Sequence, residues 1–503
     1  MNRSFFLLPL IGAVLPASAR EKPNVLFIIG DDVGYGDLSC YGAEKISTPY
    51  LDRLAARGCR FTDAHSAAAT SSPARYALLT GTHGFRNGID ILPGDAAMAL
   101  PTDRITLPRL FRQVGYRTAV VGKWHLGLGP GGRETDWNRK IEPSPSDVGF
   151  DYSFILPATN DRVPCVYVEN GYVVNADPAD PITVDYKQPI PGSLYPVGHR
   201  NPDSMSGYPS SHGHNMSVIN GIGRIGYMKG GQKALWKDET IADTLVEHAV
   251  DFIRENRDRP FFLMFNSNDI HVPRVPHPRF RGTSDYGLRG DAMVQLDWCA
   301  GVLMDLLDEL GLTSDTIIVF SSDNGPVYDD GYRDGTTVHL FSRETDNGHD
   351  ASGPYFGGKY DIREGGTRVP LLIAWENHVR AGSVSEALVS QVDFLGTFAS
   401  YFGIPLNDNE ALDSVDSFPS FFGNHTELDP DFFLIEEAVG KLALRYGNRK
   451  IRDDKNRRLY GFDTDFKERK SFYFNEKEKY WQMRKMLDEL KKTGRRFFPK
   501  KSL

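Results

Sequence analysis

Four oxygen-bearing side chains form two pairs that are far apart in the sequence. Asp31 and Asp32 follow one apolar run, and Asp323 and Asn324 follow another. Adjacent carboxylates repel each other, so we expect a cation or a helix N-terminus beside Asp31 and Asp32; the alternative is a loop aspartate next to a helix cap. Carboxylate and amide oxygens are hard ligands that suit Ca²⁺ or Mg²⁺ and not a thiophilic metal. These residue types therefore predict a divalent-cation site if the fold brings the two pairs together.

A second feature is the Ser-Ser-Pro-Ala-Arg segment at residues 71–75, which continues to Leu-Leu-Thr-Gly at residues 78–81. Pro73 suits the first turn of a helix, where its missing N–H costs nothing. Ser71 would then lie at the helix N-terminus, where free backbone N–H groups and the helix dipole favour an anion. Arg75, one turn further on, can point towards the same place. The alternative is a helix that simply begins with a serine cap.

Basic and imidazole groups follow other apolar runs. Lys123 and His125 lie two residues apart in a Gly-Lys-Trp-His-Leu-Gly segment, His271 lies in an Asp-Ile-His-Val-Pro segment, and Lys359 follows two glycines. A single lysine or histidine is usually a solvated or structural residue. These positions become candidates for anion binding and proton transfer only if they converge near Ser71.

The elements needed for that convergence can be predicted from hydrophobic periodicity. Continuous apolar runs are typical of strands buried on both faces. They alternate with helical patterns, so we predict an α/β fold with a mostly parallel sheet between two layers of helices. Ligands of such sheets bind beyond the carboxyl ends of the strands, where Asp31, Lys123, His271 and Asp323 lie. The predicted strands are residues 24–30, 118–122, 260–265, 316–320 and 369–374, and the predicted helices are residues 48–55, 107–114, 242–256 and 291–310.

Two parts of the chain have a different texture. Residues 130–235 are irregular and rich in Pro, Gly and Asn, and a loop region of that length is usually functional. After residue 396 the pattern predicts a smaller α+β subdomain, with short antiparallel strands at 432–435, 442–446 and 458–462 and a closing helix at 480–490. We therefore assign residues 20–395 to a main domain that bears the site and residues 396–503 to a C-terminal subdomain.

The first 19 residues are typical of a secretory signal peptide. Arg3 supplies a positive start, residues 5–15 form an apolar run, and Ala-Ser-Ala at residues 17–19 is a cleavage signal. No later stretch is long and apolar enough to span a bilayer. The sequence therefore predicts a soluble, exported protein, periplasmic or secreted.

Charge and cysteine content exclude some classes of function. The 503 residues carry a net charge of -8, which argues against nucleic acid as the main partner. The basic C-terminal tail from Lys491 to Lys501 is expected to be a solvated end. The four cysteines match no metal motif, and we expect free, buried thiols.

The segment Ser71-x-Pro73-Ala74-Arg75, followed by Leu-Thr-Gly, resembles the signature of the formylglycine-dependent sulfatases of the arylsulfatase type, in their serine-type branch. The likeness to exported bacterial carbohydrate sulfatases covers residues 22 to about 375 and continues more weakly to the C-terminus. It implies an alkaline-phosphatase-like fold. It also implies a sulfatase-maturing enzyme that oxidises Ser71 to formylglycine (3-oxoalanine), whose hydrated aldehyde is the nucleophile.

The same resemblance implies a role for each candidate. One Ca²⁺ (or Mg²⁺) would be held by the modified Ser71 together with Asp31, Asp32, Asp323 and Asn324. Arg75, Lys123 and Lys359 would bind the sulfate ester. His125 would hydrogen-bond the formylglycine and accept a proton from it, and His271 would protonate the leaving alcohol.

The sulfate site alone does not identify the group that carries the sulfate. Export and polar loops at residues 159–215 and 329–363 favour a sulfated glycan. The Ala-Thr-Asn-Asp-Arg-Val-Pro stretch at residues 158–164 resembles bacterial enzymes for galactose- or N-acetylgalactosamine-6-sulfate in host or algal glycans. Candidate sugar contacts are Asn160, Asp161, Arg162, His212, His214, Asp361 and Arg363.

Three alternatives remain open at this point. The enzyme could act on another sulfate position. It could be a phosphatase or phosphodiesterase on the same sheet, although such relatives typically need two metals and further His and Asp ligands. It could also be a glycan-binding relative without catalysis, in which the catalytic set should have decayed.

Overall fold

A computed structural model describes residues 22–132, 134–336, 348–423 and 425–498. The strands are β1 (Asn24–Gly30), β2 (Cys59–Phe61), β3 (Ala64–His65), β4 (Arg117–Lys123), β5 (Tyr152–Leu156), β6 (Val168–Glu169), β7 (Tyr172–Val173), β8 (Thr183–Asp185), β9 (Val218–Ile219), β10 (Ile222–Gly223), β11 (Tyr227–Lys229), β12 (Phe261–Asn266), β13 (Thr316–Ser322), β14 (Leu371–Ala374), β15 (Ser383–Ser385), β16 (Val389–Ser390), β17 (Phe433–Ala438), β18 (Lys441–Tyr446), β19 (Arg449–Arg452) and β20 (Leu459–Gly461). The helices are α1 (Pro49–Arg57), α2 (Ser71–Thr80), α3 (Leu107–Gln113), α4 (Ile241–Asn256), α5 (Gly287–Glu309), α6 (Glu364–Thr367), α7 (Phe394–Phe402), α8 (Phe418–Phe421) and α9 (Lys477–Thr493). The predicted signal peptide, residues 1–19, lies outside the described residues.

Ten strands form the central sheet in the order β15-β2-β14-β13-β1-β12-β4-β5-β6-β7. The five strands in its middle, from β13 to β5, are parallel to one another. The mostly parallel α/β sheet predicted from the sequence is therefore confirmed. The strand predicted at residues 369–374 begins at Leu371 and runs antiparallel to β13. The apolar run that predicted it carries no information on strand direction.

The strand register decides which residues meet beyond the sheet. Gly30 of β1 pairs with Ser322 of β13, and Ile29 pairs with Asn266 of β12. Asn266 in turn pairs with Gly122 of β4. The residues that follow these positions therefore leave the sheet side by side at its carboxyl edge.

Helices cover both faces of the sheet. On one face Phe27 of β1 makes an edge contact with Phe394 of α7, at 4.9 Å between ring centroids. On the other face a side chain at Gly30 would collide with Val33 and Leu296, the latter on α5. Residues 27 and 30 have opposite parity in the strand, so their side chains lie on opposite faces. Both faces are apolar, which explains why β1 is a continuous apolar run.

The C-terminal part contains a four-stranded antiparallel sheet, in the order β17-β18-β19-β20, with α9 packed against it. Sequence reasoning missed β19 because its residues are mostly charged. Lys450 of β19 is nevertheless fully buried, where it forms ion pairs with Glu436 and Glu364 at 2.6 and 3.1 Å. The predicted domain boundary at residue 396 falls within α7 and stays a prediction.

This small sheet is joined to the main domain next to Ser71. The backbone N–H of Ala69 donates to the carbonyl of Glu437 on β17 at 2.7 Å, and Glu437 N–H donates to Ala67. Arg495 also ties the two parts together, because it is buried and pairs with Asp393 at 2.7 Å. The expectation of a solvated basic tail is therefore wrong for Arg495; Lys500 and Lys501 lie outside the described residues.

Two further expectations concern the chain as a whole. Within the described ranges, no helix combines the length and apolarity that crossing a bilayer requires. The four cysteines are free thiols; three of them are buried and Cys40 is half-buried.

Candidate active site

Ser71 is the first residue of α2 and is almost fully buried. The N-cap residue is Thr70, and no side chain caps the helix, so the simple serine-cap alternative is wrong. The Ser71 hydroxyl instead donates to Asp323 Oδ2 and accepts a hydrogen bond from Lys123 Nζ at 2.5 Å. The hydroxyl is thus held between a carboxylate and an ammonium group.

Asp323 is the acceptor at the centre of this cluster. Arg75 Nε donates to Asp323 Oδ2 at 2.9 Å, and Lys123 Nζ lies 3.4 Å from the same oxygen. The backbone N–H of Asp32 donates to the other oxygen at 3.3 Å. Burial alone would raise the pKa of Asp323, but Lys123 and Arg75 hold that pKa below its ordinary value.

Asp31 has too little compensation in this arrangement. Its Oδ2 lies 2.6 Å from Lys123 Nζ, yet neither carboxylate oxygen accepts a hydrogen bond of good geometry from the described residues. Burial and the neighbouring Asp323 raise the pKa of Asp31 to about 8. Lys123 alone therefore does not balance the negative charge of this buried carboxylate and its neighbour Asp323.

Asp32 and Asn324 lie beside Asp31 and Asp323, and we call these four residues the oxygen-rich group. Asn324 Nδ2 donates to Asp32 Oδ1 at 2.7 Å, while Asn324 Oδ1 is buried and has no partner among the described residues. Asp31, Asp32 and His271 offer ligand atoms that all lie within 4.8 Å of one another. The predicted convergence of Asp31, Asp32, Asp323 and Asn324 is therefore present. A divalent cation fits the site because its oxygen atoms are hard donors that are buried and poorly satisfied.

Lys359 contacts Asp32 from the loop that precedes α6. Its Nζ lies 2.9 Å from Asp32 Oδ2 and 2.8 Å from Asp330 Oδ2, and Tyr360 also donates to Asp330. Burial would lower the pKa of Lys359, but the two carboxylates raise it well above the ordinary value. Sequence reasoning missed Asp330 and Tyr360. The only signal was their position in the polar loop at residues 329–363, part of which lies outside the described residues.

Two histidines line the same cavity, and a different ring nitrogen of each is held by a backbone carbonyl. His271 Nδ1 lies 2.7 Å from its neighbour's carbonyl, which leaves Nε2 directed towards Asp32 at 3.9 Å. Burial and Lys359 lower the pKa of His271 to about 4. His125 Nε2 lies 2.9 Å from the carbonyl of Leu92, and its Nδ1 is buried without a partner in the described residues. Burial and Lys123 lower the pKa of His125 well below its ordinary value. No hydrogen bond joins His125 to Ser71 within these residues.

Ser71, His125, His271 and Lys359 line one cavity of about 220 Å³. Its walls are formed by Thr70, Ser71, Ile91, His125, Asp161, Arg162, His212, His214, Ile225, His271, Asp330, Lys359 and Tyr360. Arg75, Lys123 and the oxygen-rich group do not line it, but Ser71 links the cavity to them through hydrogen bonds with Asp323 and Lys123. The cavity is therefore lined by hydrogen-bonding groups, and Ser71 connects it to the buried charged cluster.

The structure brings only some of the predicted sugar contacts to this cavity. Asp161 lies in its wall, held by His214 Nε2 at 2.8 Å and Arg162 at 3.1 Å, and His212 is close by. Asn160 instead donates to the carbonyl of Pro273 at 3.0 Å. The other two predicted contacts, Asp361 and Arg363, pair with each other through an Nε–Oδ2 hydrogen bond of 2.6 Å. These last three residues do not line the cavity.

The sheet and a polar site at its carboxyl edge define an alkaline-phosphatase-like α/β protein. A family model described as Sulfatase matches residues 23–404. The chain therefore belongs to the sulfatase family, and it is an enzyme that hydrolyses sulfuric esters.

Individual relatives agree with this assignment. An N-acetylgalactosamine-6-O-sulfatase from Bacteroides thetaiotaomicron is 48% identical over 404 residues, which cover 80% of this chain and 77% of the relative. An N-acetylgalactosamine-6-sulfatase from Rattus norvegicus is 31% identical over 440 residues, which cover 85% of this chain and 71% of that relative. A solved structure from work on glycosaminoglycan metabolism by Bacteroides thetaiotaomicron has a TM-score of 0.88 and 42% identity, and covers 94% of this chain and 99% of that one.

Proposed function

We propose that this chain removes the 6-O-sulfate of galactose or N-acetylgalactosamine residues in a sulfated glycan, with formylglycine formed from Ser71 and a bound Ca²⁺. The observation that carries the proposal is the position of the Ser71 hydroxyl, between Asp323 and Lys123, at a cavity that also contains His125, His271 and Lys359. The specificities named for the relatives at 48% and 31% identity support the choice of substrate.

The buried oxygen atoms of the oxygen-rich group support the choice of metal. Asp31, Asp32, Asp323 and Asn324 would hold the cation, together with the modified residue 71. A bound divalent cation supplies positive charge that disperses negative charge on the sulfate as the S–O bond breaks. The raised pKa of Asp31, and an Asn324 Oδ1 that has no partner in the described part of the chain, are the features expected of a site that takes up such an ion.

Three cations of the chain would bind the sulfate group itself. Lys123 and Arg75 share the Asp323 carboxylate from the side of α2 and β4, and Lys359 approaches from the loop before α6. Cations from separate elements can hold different oxygens of a tetrahedral anion. Because they are buried, their interaction with the sulfate is little weakened by solvent.

Residue 71 and the two histidines would carry the chemistry. A hydrated formylglycine supplies a hydroxyl nucleophile, and its second hydroxyl allows the aldehyde to re-form. His125 Nδ1, which has no hydrogen-bond partner among the residues that the structure describes, would accept that hydroxyl proton. His271 Nε2 would give a proton to the departing sugar oxygen. His271 is neutral at neutral pH in this structure, so the negative charge of the bound ester must raise its pKa for this role.

The side wall of the cavity would hold the sugar. Asp161 is fixed by His214 and Arg162, so its carboxylate is already oriented for a hydroxyl group. His212 lies in the same wall. We include these four residues in the sugar site and leave out Asn160, Asp361 and Arg363, which do not line the cavity. Export through residues 1–19 and oxidation of Ser71 by a maturing enzyme complete the proposal.

The decisive experiment uses protein produced with a sulfatase-maturing enzyme. It is screened against saccharides that carry one sulfate at position 2, 3, 4 or 6, and against aryl sulfate and aryl phosphate in parallel. We expect sulfate release from 6-sulfated galactose or N-acetylgalactosamine. Release from another position would contradict the specificity, and faster release of phosphate would favour the phosphatase alternative. Binding of the saccharide without any release by fully matured protein would favour the non-catalytic one.

A further inference from the structure

The charge of this chain is distributed very unevenly. Residues 441–503 contain 21 of the 58 Lys and Arg residues but only 9 of the 66 Asp and Glu residues. This segment therefore has a net charge of +12 in a chain whose total is -8. Such asymmetry indicates that the C-terminal part meets a negatively charged partner which the rest of the protein would repel.

Part of this positive charge is used internally and part is not. Arg484 and Lys491 on α9 both pair with Asp453, at 2.6 and 2.8 Å. By contrast, Lys477 and Lys485 of the same helix are exposed and form no ion pair with another described residue. Arg457, in the loop before β20, is also exposed and lacks such a pair. These three cations are thus available to an external anion.

Exposed aromatic rings accompany the unpaired cations. Trp481 is 50% exposed and Phe474 is 80% exposed. The Arg457 guanidinium lies 5.5 Å from the Trp481 ring centre, and Lys477 Nζ lies 5.8 Å from that of Phe474. We call Arg457, Phe474, Lys477, Trp481 and Lys485 the basic aromatic face.

The rings of this face are firmly anchored. Phe474 contacts Tyr473 at 5.4 Å, Tyr473 contacts Tyr480 at 5.0 Å, and Tyr480 contacts Trp481 at 5.2 Å between centroids. Tyr480 is buried in the apolar cluster between α9 and the small sheet. The exposed rings therefore extend from a packed core, so that little freedom is lost when a ligand binds.

The spacing along α9 suits an extended chain. Lys477, Trp481 and Lys485 are four residues apart, so they lie on one side of the helix. With a rise of 1.5 Å per residue, the outer two are separated by about 12 Å along the axis. Aromatic faces pack against the apolar C–H face of a sugar ring, and ammonium and guanidinium groups bind sulfate oxygens. A sulfated polysaccharide offers both features repeatedly along its length.

We propose that the basic aromatic face is a second binding surface for sulfated polysaccharide chains, separate from the catalytic cavity. None of its residues lines that cavity. The surface would hold a polymer while single residues of it are desulfated elsewhere on the enzyme. The choice of a sulfated glycan as partner rests on the proposed function, but the presence of an anion-binding surface does not.

Binding is measured directly, with full-length protein in which Ser71 is unmodified, so that no turnover is needed. The probe is polymeric chondroitin 6-sulfate, with an excess of sulfated monosaccharide to fill the catalytic cavity. We expect the K477A/K485A variant to bind about ten-fold more weakly and with a smaller dependence on salt. Phe474→Ser, which changes the more exposed of the two rings of this face, should weaken binding by a few-fold without affecting the fold. The matched control is R259A/R380A, which removes two exposed cations outside the basic aromatic face: Arg259 precedes β12, and Arg380 lies between β14 and β15.

Failure of this binding proposal can be distinguished from failure of the proposed function. Wild-type binding by K477A/K485A would overturn the proposal, as would equal binding to chemically desulfated chondroitin. Tighter binding to double-stranded DNA or to vesicles of anionic phospholipid would assign the face to another partner. In matured protein the same variant should raise KM for the polymer but leave kcat and the hydrolysis of a sulfated monosaccharide unchanged. A protein that binds the polymer but hydrolyses no sulfate ester would contradict the proposed function alone.

Discussion

The hydroxyl of Ser71 donates to Asp323 Oδ2, the same oxygen that accepts the Arg75 Nε hydrogen bond at 2.9 Å. Asp323 follows β13, whereas Ser71 and Arg75 are one turn apart at the start of α2. One carboxylate thus connects the central sheet to the residue that we expect to be modified.

The first prediction concerns oxidation of Ser71. A plain serine has one hydroxyl and cannot re-form an aldehyde, so protein with intact Ser71 should be slower by about 10³-fold or more. Mass spectrometry of the peptide that contains residue 71, together with turnover of a sulfated sugar, tests this. Samples with increasing oxidation should show activity in proportion. Full activity in a sample whose residue 71 is entirely serine would refute the prediction.

The second prediction concerns metal binding. If the site takes up Ca²⁺, the ion at about 100 times its Kd should stabilise the folded protein by roughly 2.7 kcal/mol. Thermal unfolding with chelator and with added Ca²⁺ measures this effect without relying on activity. Asn324→Ala should weaken the response because it removes an oxygen ligand. Asn160→Ala, a change of the same kind outside the oxygen-rich group, should preserve the response to Ca²⁺. An equal Tm with chelator and with Ca²⁺ would argue against the site.

The third prediction separates the role of His271 from simple binding. A general acid matters most when the leaving group is a poor one. His271→Ala should therefore slow hydrolysis of a sugar sulfate by about 10²- to 10⁴-fold, yet affect a nitrophenyl sulfate much less. The comparison uses kcat for the two substrates on the same matured sample. Equal losses on both substrates would show that His271 does not act as the acid.

The fourth prediction concerns the sugar site. Asp161→Asn removes a carboxylate that His214 and Arg162 orient, at 2.8 and 3.1 Å. We expect kcat/KM for the sugar sulfate to fall by about 10- to 100-fold, as expected when a hydrogen bond to a charged group is lost. Hydrolysis of an aryl sulfate should change little. Arg363→Ala is the control, because Arg363 pairs with Asp361 outside the cavity wall; a larger loss there than at Asp161 would reverse the assignment.

The fifth prediction concerns Glu437, next to the backbone before Ser71. Burial, with a smaller contribution from Asp413, raises the pKa of Glu437 to about 7 from an ordinary value of 4.5. The folded protein therefore binds this proton more tightly than the unfolded chain does. Stability should fall by about 1.4 kcal/mol per pH unit as pH rises from about 4.5 to 7, and this contribution should be constant above that.

Glu437→Gln should remove this dependence, since the amide keeps an oxygen for the Phe85 N–H, which donates to Glu437 at 3.2 Å. Denaturation midpoints of the two proteins are compared across that pH range, with the exposed Glu478→Gln as control. The difference between the Glu437→Gln variant and the wild type should grow with pH; a constant difference would contradict the shift.

Much of the site could be predicted because the strands of its sheet carry a simple signal. The segment before Asp31 and the segment before Asp323 are buried on both faces, so each is a continuous apolar run that ends where the polar residues begin. Parallel strands place such ends at one edge of the sheet. The motif around Ser71 supplied the one residue that the sheet alone would not identify.

Other features depend on partners that are distant in sequence. The sequence does not distinguish Asp330 from other loop aspartates. Its contacts with Lys359 and Tyr360 exist only in the folded protein. Asn160 lies beside Asp161, yet Pro273 holds its side chain elsewhere. The charged strand β19 was missed because its Lys450 is buried only through Glu364 and Glu436.

The amino-acid sequence by itself determined the alternation of strands and helices, the polar residues at the strand ends and the Ser71 motif, because these depend on periodicity and on neighbours along the chain. Tertiary structure alone decided which carboxylate meets which cation, which sugar-binding candidates reach the cavity, and which cations of α9 have no ion-pair partner within the described ranges. Those outcomes depend on side chains that approach from separate elements, and their energies exist only when the elements are packed together.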